Sequence, residues 1–243
     1  MIFSVGVFIL ALLGGAVAAI SGFGIGSLLT PLLAARFGTK LTVAVVSVPH
    51  LAATAARFWG LRRHLDRKVF LNFGILSAAG GLTGALLNAR ANSPALAIVF
   101  GCLLLFAGIS GLSGWLARMH FGRPTAWTAG ALSGFFGGLV GNQGGIRSAA
   151  LQGFDVRKET LVATATAIAL IVDGARMPVY FTVESSGILK AWPLLAVALS
   201  GVLLGTFWGV RLLRRIPEPA FRKLLNCLII ALGIYMVAHG AAR

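Results

Sequence analysis

Eight apolar runs divide the chain, at 2–35, 41–56, 69–89, 94–116, 126–152, 161–180, 191–210 and 224–238. Charged residues gather in the short stretches between them. Most of the runs suit the ~20 residues that carry a helix across the hydrocarbon core of a bilayer. The alternating ~10-residue segments of an outer-membrane barrel are not part of the pattern. The expected architecture is therefore an all-α integral membrane protein whose solvent is the lipid bilayer.

Two of the runs are too long for one crossing, and both contain glycine clusters. Run 2–35 as one straight helix would measure about 51 Å against a core of about 30 Å. It carries Ser21-Gly22-Phe23-Gly24-Ile25-Gly26 in its second half, and run 126–152 carries Gly141–Gly145. Glycine relaxes the backbone at such points, so each run is expected to fold back as a broken helical hairpin. Sliding the chain on itself by 119 residues aligns these clusters, Gly22 with Gly141 and Gly26 with Gly145. The same offset pairs Val43/Val162, Ala44/Ala163, Ala56/Ala175 and Arg57/Arg176. An offset of 121 pairs Gly80/Gly201, Gly84/Gly205 and Arg90/Arg211, and one of 125 pairs Ala95/Ala220, Cys102/Cys227 and Gly108/Gly233. Offsets that grow only at loops describe a repeated unit, with halves at 1–122 and 123–243.

Charge orients the halves. Stretch 57–68 holds five basic residues and stretch 211–223 another five, whereas 89–93 and 181–190 hold one each. Basic loops face the cytoplasm. One basic loop follows the second segment of its half and the other follows the third, so the halves are expected to be inverted. Each half is then a broken hairpin plus three transmembrane helices, giving six full crossings. Eight single crossings would set the two basic loops on opposite sides, against the rule.

Composition agrees with this picture. The chain is 58% hydrophobic and 11% charged, with a mean hydropathy of +0.91, where soluble domains carry roughly 25% charged residues. The formal net charge of +15 is spread over juxtamembrane loops, which argues against nucleic acid as a partner. No Lys or Arg precedes Arg36, so the first run lacks the basic leader of a signal peptide. Cys102 and Cys227 lie inside apolar runs and imply neither a disulfide framework nor a metal site. No residue pattern calls for a cofactor. The expected location is the cell inner (plasma) membrane, multi-pass, and oligomeric state is left open, a homodimer included.

The polar residues inside the apolar runs carry the candidate chemistry. Non-helical backbone at membrane depth is tolerated only where protein buries it or a wet cavity lines it. Inverted repeats with broken helices near the midplane are a construction of secondary transporters. Helix N-termini at such breaks present free N–H groups and favour an anion. In the second break, Asn142 and Gln143 supply amide donors beside Gly144 and Gly145, and Arg147 adds a cation in the first turn of the next half-helix. A cation there is unfavourable alone, so its placement points to an anion between it and the amides. The plainer alternative is that the amides satisfy broken backbone and Arg147 pairs with Asp173. In the first break, Gly22, Gly24 and Gly26 would let an anion approach the backbone. They do not form a dinucleotide loop, because no βαβ pattern surrounds them.

Residues "SGFGIGSLLTPLL" and "GNQGGIRSAAL", each a glycine-rich break followed by a half-helix, resemble the sulfite exporter TauE/SafE group of small-anion transporters. In the first copy Gly22, Gly24, Gly26 and Pro31 match the G-x-G-G-G…P pattern. The second keeps Gly141, Gly144 and Gly145 but departs through Asn142, Gln143 and Arg147. The resemblance covers nearly the whole chain. It implies transport of sulfite, organosulfonates or related sulfur-containing anions.

Further polar residues stand along the runs at 41–56 and 161–180. His50 is a core residue or a proton-coupling site, since imidazole titrates near neutral pH. Asp173 and Arg176, three apart, can pair on one helical face. Arg57 and Arg176 either snorkel to headgroups or flank the anion path. Ser47, Thr54, Thr164 and Thr166 line the path or bond back to helix carbonyls. The Gly-x-x-x-Gly spacings at Gly80/Gly84 and Gly201/Gly205 suit close helix packing. The leading expectation is a secondary transporter working by alternating access, with the anion site between the two breaks. A passive anion channel could use the same residues. An intramembrane enzyme is disfavoured, because it needs paired His/Glu or Asp/Asp groups and only Asp173 and His50 lie deep enough, with no metal-ligand spacing.

Overall fold

The computed structural model describes residues 2–22, 24–114, 123–142, 144, 147, 151, 158–209 and 218–242. All of the described elements are helical, as the bilayer requires of a backbone that must satisfy its own hydrogen bonds. They are α1 (Ile2–Ser21), α2 (Ile25–Phe37), α3 (Thr39–Leu61) with a 3₁₀ turn at Arg62–His64, α4 (Arg67–Arg90) and α5 (Ser93–Ser113). After these come α6 (Arg123–Val140), α7 (Lys158–Lys190), α8 (Trp192–Leu204), which ends in a π turn at Gly205–Gly209, and α9 (Glu218–Ala241). The chain is a multi-pass membrane protein.

Local chemistry sets the helix ends. Asp66 caps α4 by accepting from the Val69 N–H at 2.9 Å, and Asn92 caps α5 by accepting from Ala95 N–H at 2.9 Å. Such caps satisfy donors that a helix start leaves open. The break after α1 runs through Gly22 at φ 80° and Gly24 at φ 135°, and α6 ends at Gly141 with φ 78°. Side chains other than glycine rarely adopt these angles.

Helix α2 returns along α1. Gly14 lies against Ile25, Gly24 against Val17, and at the far end the Arg36 guanidinium sits 5.1 Å from the Phe3 ring centroid. Six segments are long and apolar enough to cross a membrane: Ile2–Ile20, Thr39–His64, Arg67–Arg90, Ser93–Ser113, Thr160–Lys190 and Lys223–Ala241. By length, then, Ile2–Ile20 stands among them, although the sequence reading assigns it to a hairpin. Trp192–Trp208 is among the shorter apolar helices, although that reading makes it a crossing. The reason is that the break begins at Gly22, after 20 residues of the run, so the hairpin's first arm reaches about 30 Å.

Glycines let the helices meet backbone to backbone. A Cβ at Gly80 would strike Ala131 O, one at Gly84 Phe135 O, and one at Gly134 Ser77 O, which locks α4 against α6. In the pair α1–α8, a Cβ at Gly15 would strike Val202 O and one at Gly205 would strike Leu12 O. Leu12 and Ala131 are 119 apart, as are Gly15 and Gly134. By contact, Gly80 therefore corresponds to Gly205, an offset of 125 instead of the 121 read from sequence. Glycines recur every fourth residue here, so the sequence match slips easily by one helical turn.

Candidate functional site

Helices α3 and α7 cross antiparallel at the centre. Leu41 packs on Gly187, Ser47 Oγ donates to Met177 Sδ at 2.9 Å, and the Asp66 N–H donates to Thr164 Oγ1 at 3.1 Å. Between these contacts His50 Nδ1 meets Asp173 Oδ2 at 2.8 Å. An ionised carboxylate only accepts, so Nδ1 carries the hydrogen and Nε2 is the basic nitrogen of the neutral ring.

Asp173 also holds Arg176. Its Oδ1 accepts from Nε at 3.0 Å and lies 2.8 Å from Nη2. The Arg176 Nη1 donates to Gly137 O, and Tyr180 OH donates to Gly138 O. Both carbonyls lie in the last turn of α6, where the helix dipole favours a cation, and Gly137 O also accepts from the Gly141 N–H at 3.0 Å. Asp173 is 0% and Arg176 1% exposed.

Arg57 makes the parallel arrangement on α3. Its Nη1 donates to Ala18 O near the end of α1, and its Nη2 donates to Thr54 Oγ1 at 3.3 Å. Gly22 N–H bonds to the same Ala18 carbonyl at 2.9 Å, which sets the guanidinium beside the break. Among the described residues Arg57 Nε has no hydrogen-bond partner. Ala18 and Gly137, Thr54 and Asp173, Arg57 and Arg176, and Gly22 and Gly141 are each 119 apart.

The breaks themselves adjoin. A Cβ at Gly26, in the first turn of α2, would lie 2.7 Å from Gly141 O, and one at Gly141 would lie 3.9 Å from Arg176 Nη1. Gly144 and Arg147 are helical and buried, and Asn142 is half-buried. Arg147 donates from Nη1 to Ala165 O at 3.3 Å and lies within electrostatic reach of Asp173, Arg176 and Arg57. Gln143 and Gly145 lie outside the described residues.

The sequence-predicted residues thus fall into groups. His50, Asp173 and Arg176 form one bonded cluster, and Arg57 with Thr54 forms another. Neither Arg57 nor Arg176 snorkels to headgroups, because broken-helix carbonyls offer acceptors inside the protein. Thr166 Oγ1 bonds back to Val162 O at 2.7 Å and so serves its own helix, whereas Ser47 Oγ is shared between Ala44 O at 2.6 Å in its own helix and Met177 Sδ across in α7. Sequence reasoning missed Tyr180 and the carbonyls of Ala18 and Gly137. The carbonyls could have been found, since they share the offset of the two arginines. Among the described residues no group of three His, Cys, Asp or Glu side chains is placed to hold a metal ion.

The family model described as Sulfite exporter TauE/SafE matches residues 7–236. No curated protein and no solved structure matches the chain.

Proposed function

Because the chain belongs to the sulfite exporter TauE/SafE family, we propose that it carries a small sulfur-containing anion, sulfite or an organosulfonate, across the cell inner membrane by alternating access. The observation that carries this reading is three buried arginines, Arg57, Arg147 and Arg176, gathered around one carboxylate where two helix breaks adjoin. Buried cations are costly unless matched, and intramembrane ionisable groups mark substrate paths. The site comprises Gly22, Gly24, Gly26, Asn142, Gln143, Gly144, Gly145, Arg147, Arg57 and Arg176, with His50, Thr54, Thr166 and Asp173 along the path.

The halves 1–122 and 123–243 work as inverted repeats rocking about the α3–α7 crossing. What supports this is the recurrence of one bonding scheme, an arginine to a helix-end carbonyl, at a constant spacing. Antiparallel α3 and α7 agree with it. Exchange of the two halves' conformations would then open the site to alternate sides.

Counterflow tests carriage against the rival channel. Proteoliposomes loaded with unlabelled sulfite are diluted into trace ³⁵S-sulfite. A carrier transiently concentrates the label, because internal substrate returns it; a channel lets the label equilibrate without overshoot. Overshoot supports alternating access, and simple equilibration overturns it in favour of the channel.

A further inference from the structure

We propose that the transported anion binds Arg57 in the place that the Asp173 carboxylate takes against Arg176 in the other half. This rests on the transport reading above and says where, and with what geometry, the anion is held.

The donor inventories of the two guanidinium groups differ at one place. Arg176 spends Nη1 on Gly137 O, and Nε and Nη2 on the Asp173 carboxylate. Arg57 spends Nη1 on Ala18 O but meets only the neutral Thr54 hydroxyl, at 3.3 Å from Nη2. Its Nε has no hydrogen-bond partner among the described residues, although the side chain is 9% exposed. Thr54 stands where the acid stands in the second half. Arg57 also feels the field of Asp173, but that carboxylate is already bonded to Arg176 and His50. A guanidinium buried to this degree keeps its charge and calls for a counter-charge.

The fitting occupant follows from the fork. On Arg176 the Nε and Nη2 donors converge on one carboxylate oxygen, Oδ1, while the second oxygen meets His50, so a carboxylate, a sulfite, a sulfonate or a phosphate can give Arg57 one oxygen and keep another for further donors. The break that leads into α2 lies beside the guanidinium, since Arg57 Nη1 and the Gly22 N–H share the Ala18 carbonyl. The N-cap of α2, Gly24, makes no side-chain capping bond, so no cap side chain satisfies the first-turn N–H groups of that helix, a kind of donor that suits an anion. A halide, with no pair of oxygens, uses only part of this geometry.

The internal symmetry also supplies the test. Thr54→Asp builds in the first half the carboxylate that the second half already has, so the protein would neutralise Arg57 by itself. Thr54→Asn changes size and polarity without charge. Isothermal titration of the full-length detergent-solubilised protein with sulfite compares wild type, Thr54→Asn, Thr54→Asp and Arg57→Lys, with melting temperatures taken in parallel. Thr54→Asp is expected to melt at or above wild type and to bind sulfite about 100-fold more weakly. Thr54→Asn, which adds no charge, should lose at least tenfold less than Thr54→Asp, and Arg57→Lys, lacking the fork, should lose about tenfold. Wild-type affinity in folded Thr54→Asp overturns the placement, as does an equal loss in Thr54→Asn. If Thr54→Asp does not fold, wild-type affinity in Arg57→Lys overturns it. Sulfite failing to bind wild type itself defeats the transport reading, and the placement with it.

Discussion

Arg57 and Arg176 make the same bond to the same kind of helix-end carbonyl from positions 119 residues apart, yet they sit in different charge environments. Arg176 has a carboxylate on its fork, shared with His50; Arg57 has a threonine. The other substitutions between the halves point the same way: Leu28 stands opposite Arg147, and Ala169 opposite His50. The parts that hold broken helices together are alike in the two halves. The parts that carry charge are not. On the proposed reading of inverted repeats, the shared arginine bonds maintain the scaffold, and the departures from symmetry decide where an anion is held.

The comparison breaks hardest at Asp173. Asp173→Thr gives the second half the first half's side chain and leaves Arg176 buried without its carboxylate. Removing one partner of such a pair costs about 3–5 kcal/mol. Thermal and denaturant unfolding in detergent should register that loss, and wild-type stability would show that the two arginines do not differ in need. A smaller effect is expected at Arg147, the cation without a counterpart in the first half. Arg147→Ala should weaken sulfite binding roughly ten- to hundredfold, from a charge-assisted hydrogen bond of about 1.5–3 kcal/mol. Arg147→Lys should fall between the two. Titration of the folded variants checks this, and unchanged affinity in Arg147→Ala would move the site away from the second break.

Glycine contacts test the likeness of the halves instead of their difference. Gly80→Ala and Gly205→Ala each drive a methyl into a carbonyl, Ala131 O and Leu12 O. Each should cost about 1–3 kcal/mol, and a cost confined to one would argue against equivalent packing. Gly6 has nothing within 4 Å of an added Cβ among the described residues, so Gly6→Ala should be neutral or slightly stabilising. The smallest expected effect on binding is at His50. His50→Ala should leave sulfite affinity within about threefold, yet flatten the pH dependence of uptake. Uptake that keeps its pH profile in this variant would reduce His50 to a structural partner of Asp173.

The helices were legible in the sequence because lipid leaves a long apolar run no other way to satisfy its backbone. The interruption between Ser21 and Ile25 was legible as well, since glycines that relieve a backbone stand out in such a run. What the sequence hid were directions. A basic residue near the end of an apolar run suggests headgroups, and nothing local to Arg57 or Arg176 announces a helix-end carbonyl brought beside it by tertiary structure. Run 161–180 also understated α7, which continues through Thr182, Ser185 and Ser186 to Lys190 with non-helical angles at Glu184. Polar residues at a helix end weaken the apolar signal without ending the hydrogen-bond ladder. Asp173 could be paired with Arg176 by spacing alone, whereas its bond to His50 spans 123 residues and needed the fold.

The account depends most on the two halves running oppositely through the bilayer, and accessibility labelling measures that directly. With Cys102 and Cys227 replaced by serine, single cysteines go to Arg63, after α3, and to Ser185, near the end of α7. Both positions are exposed. A membrane-impermeant thiol reagent is then added to sealed right-side-out vesicles, before and after permeabilisation. The account predicts that Ser185→Cys reacts at once and that Arg63→Cys reacts only after the vesicles are opened. Reaction of both from the same side would contradict it.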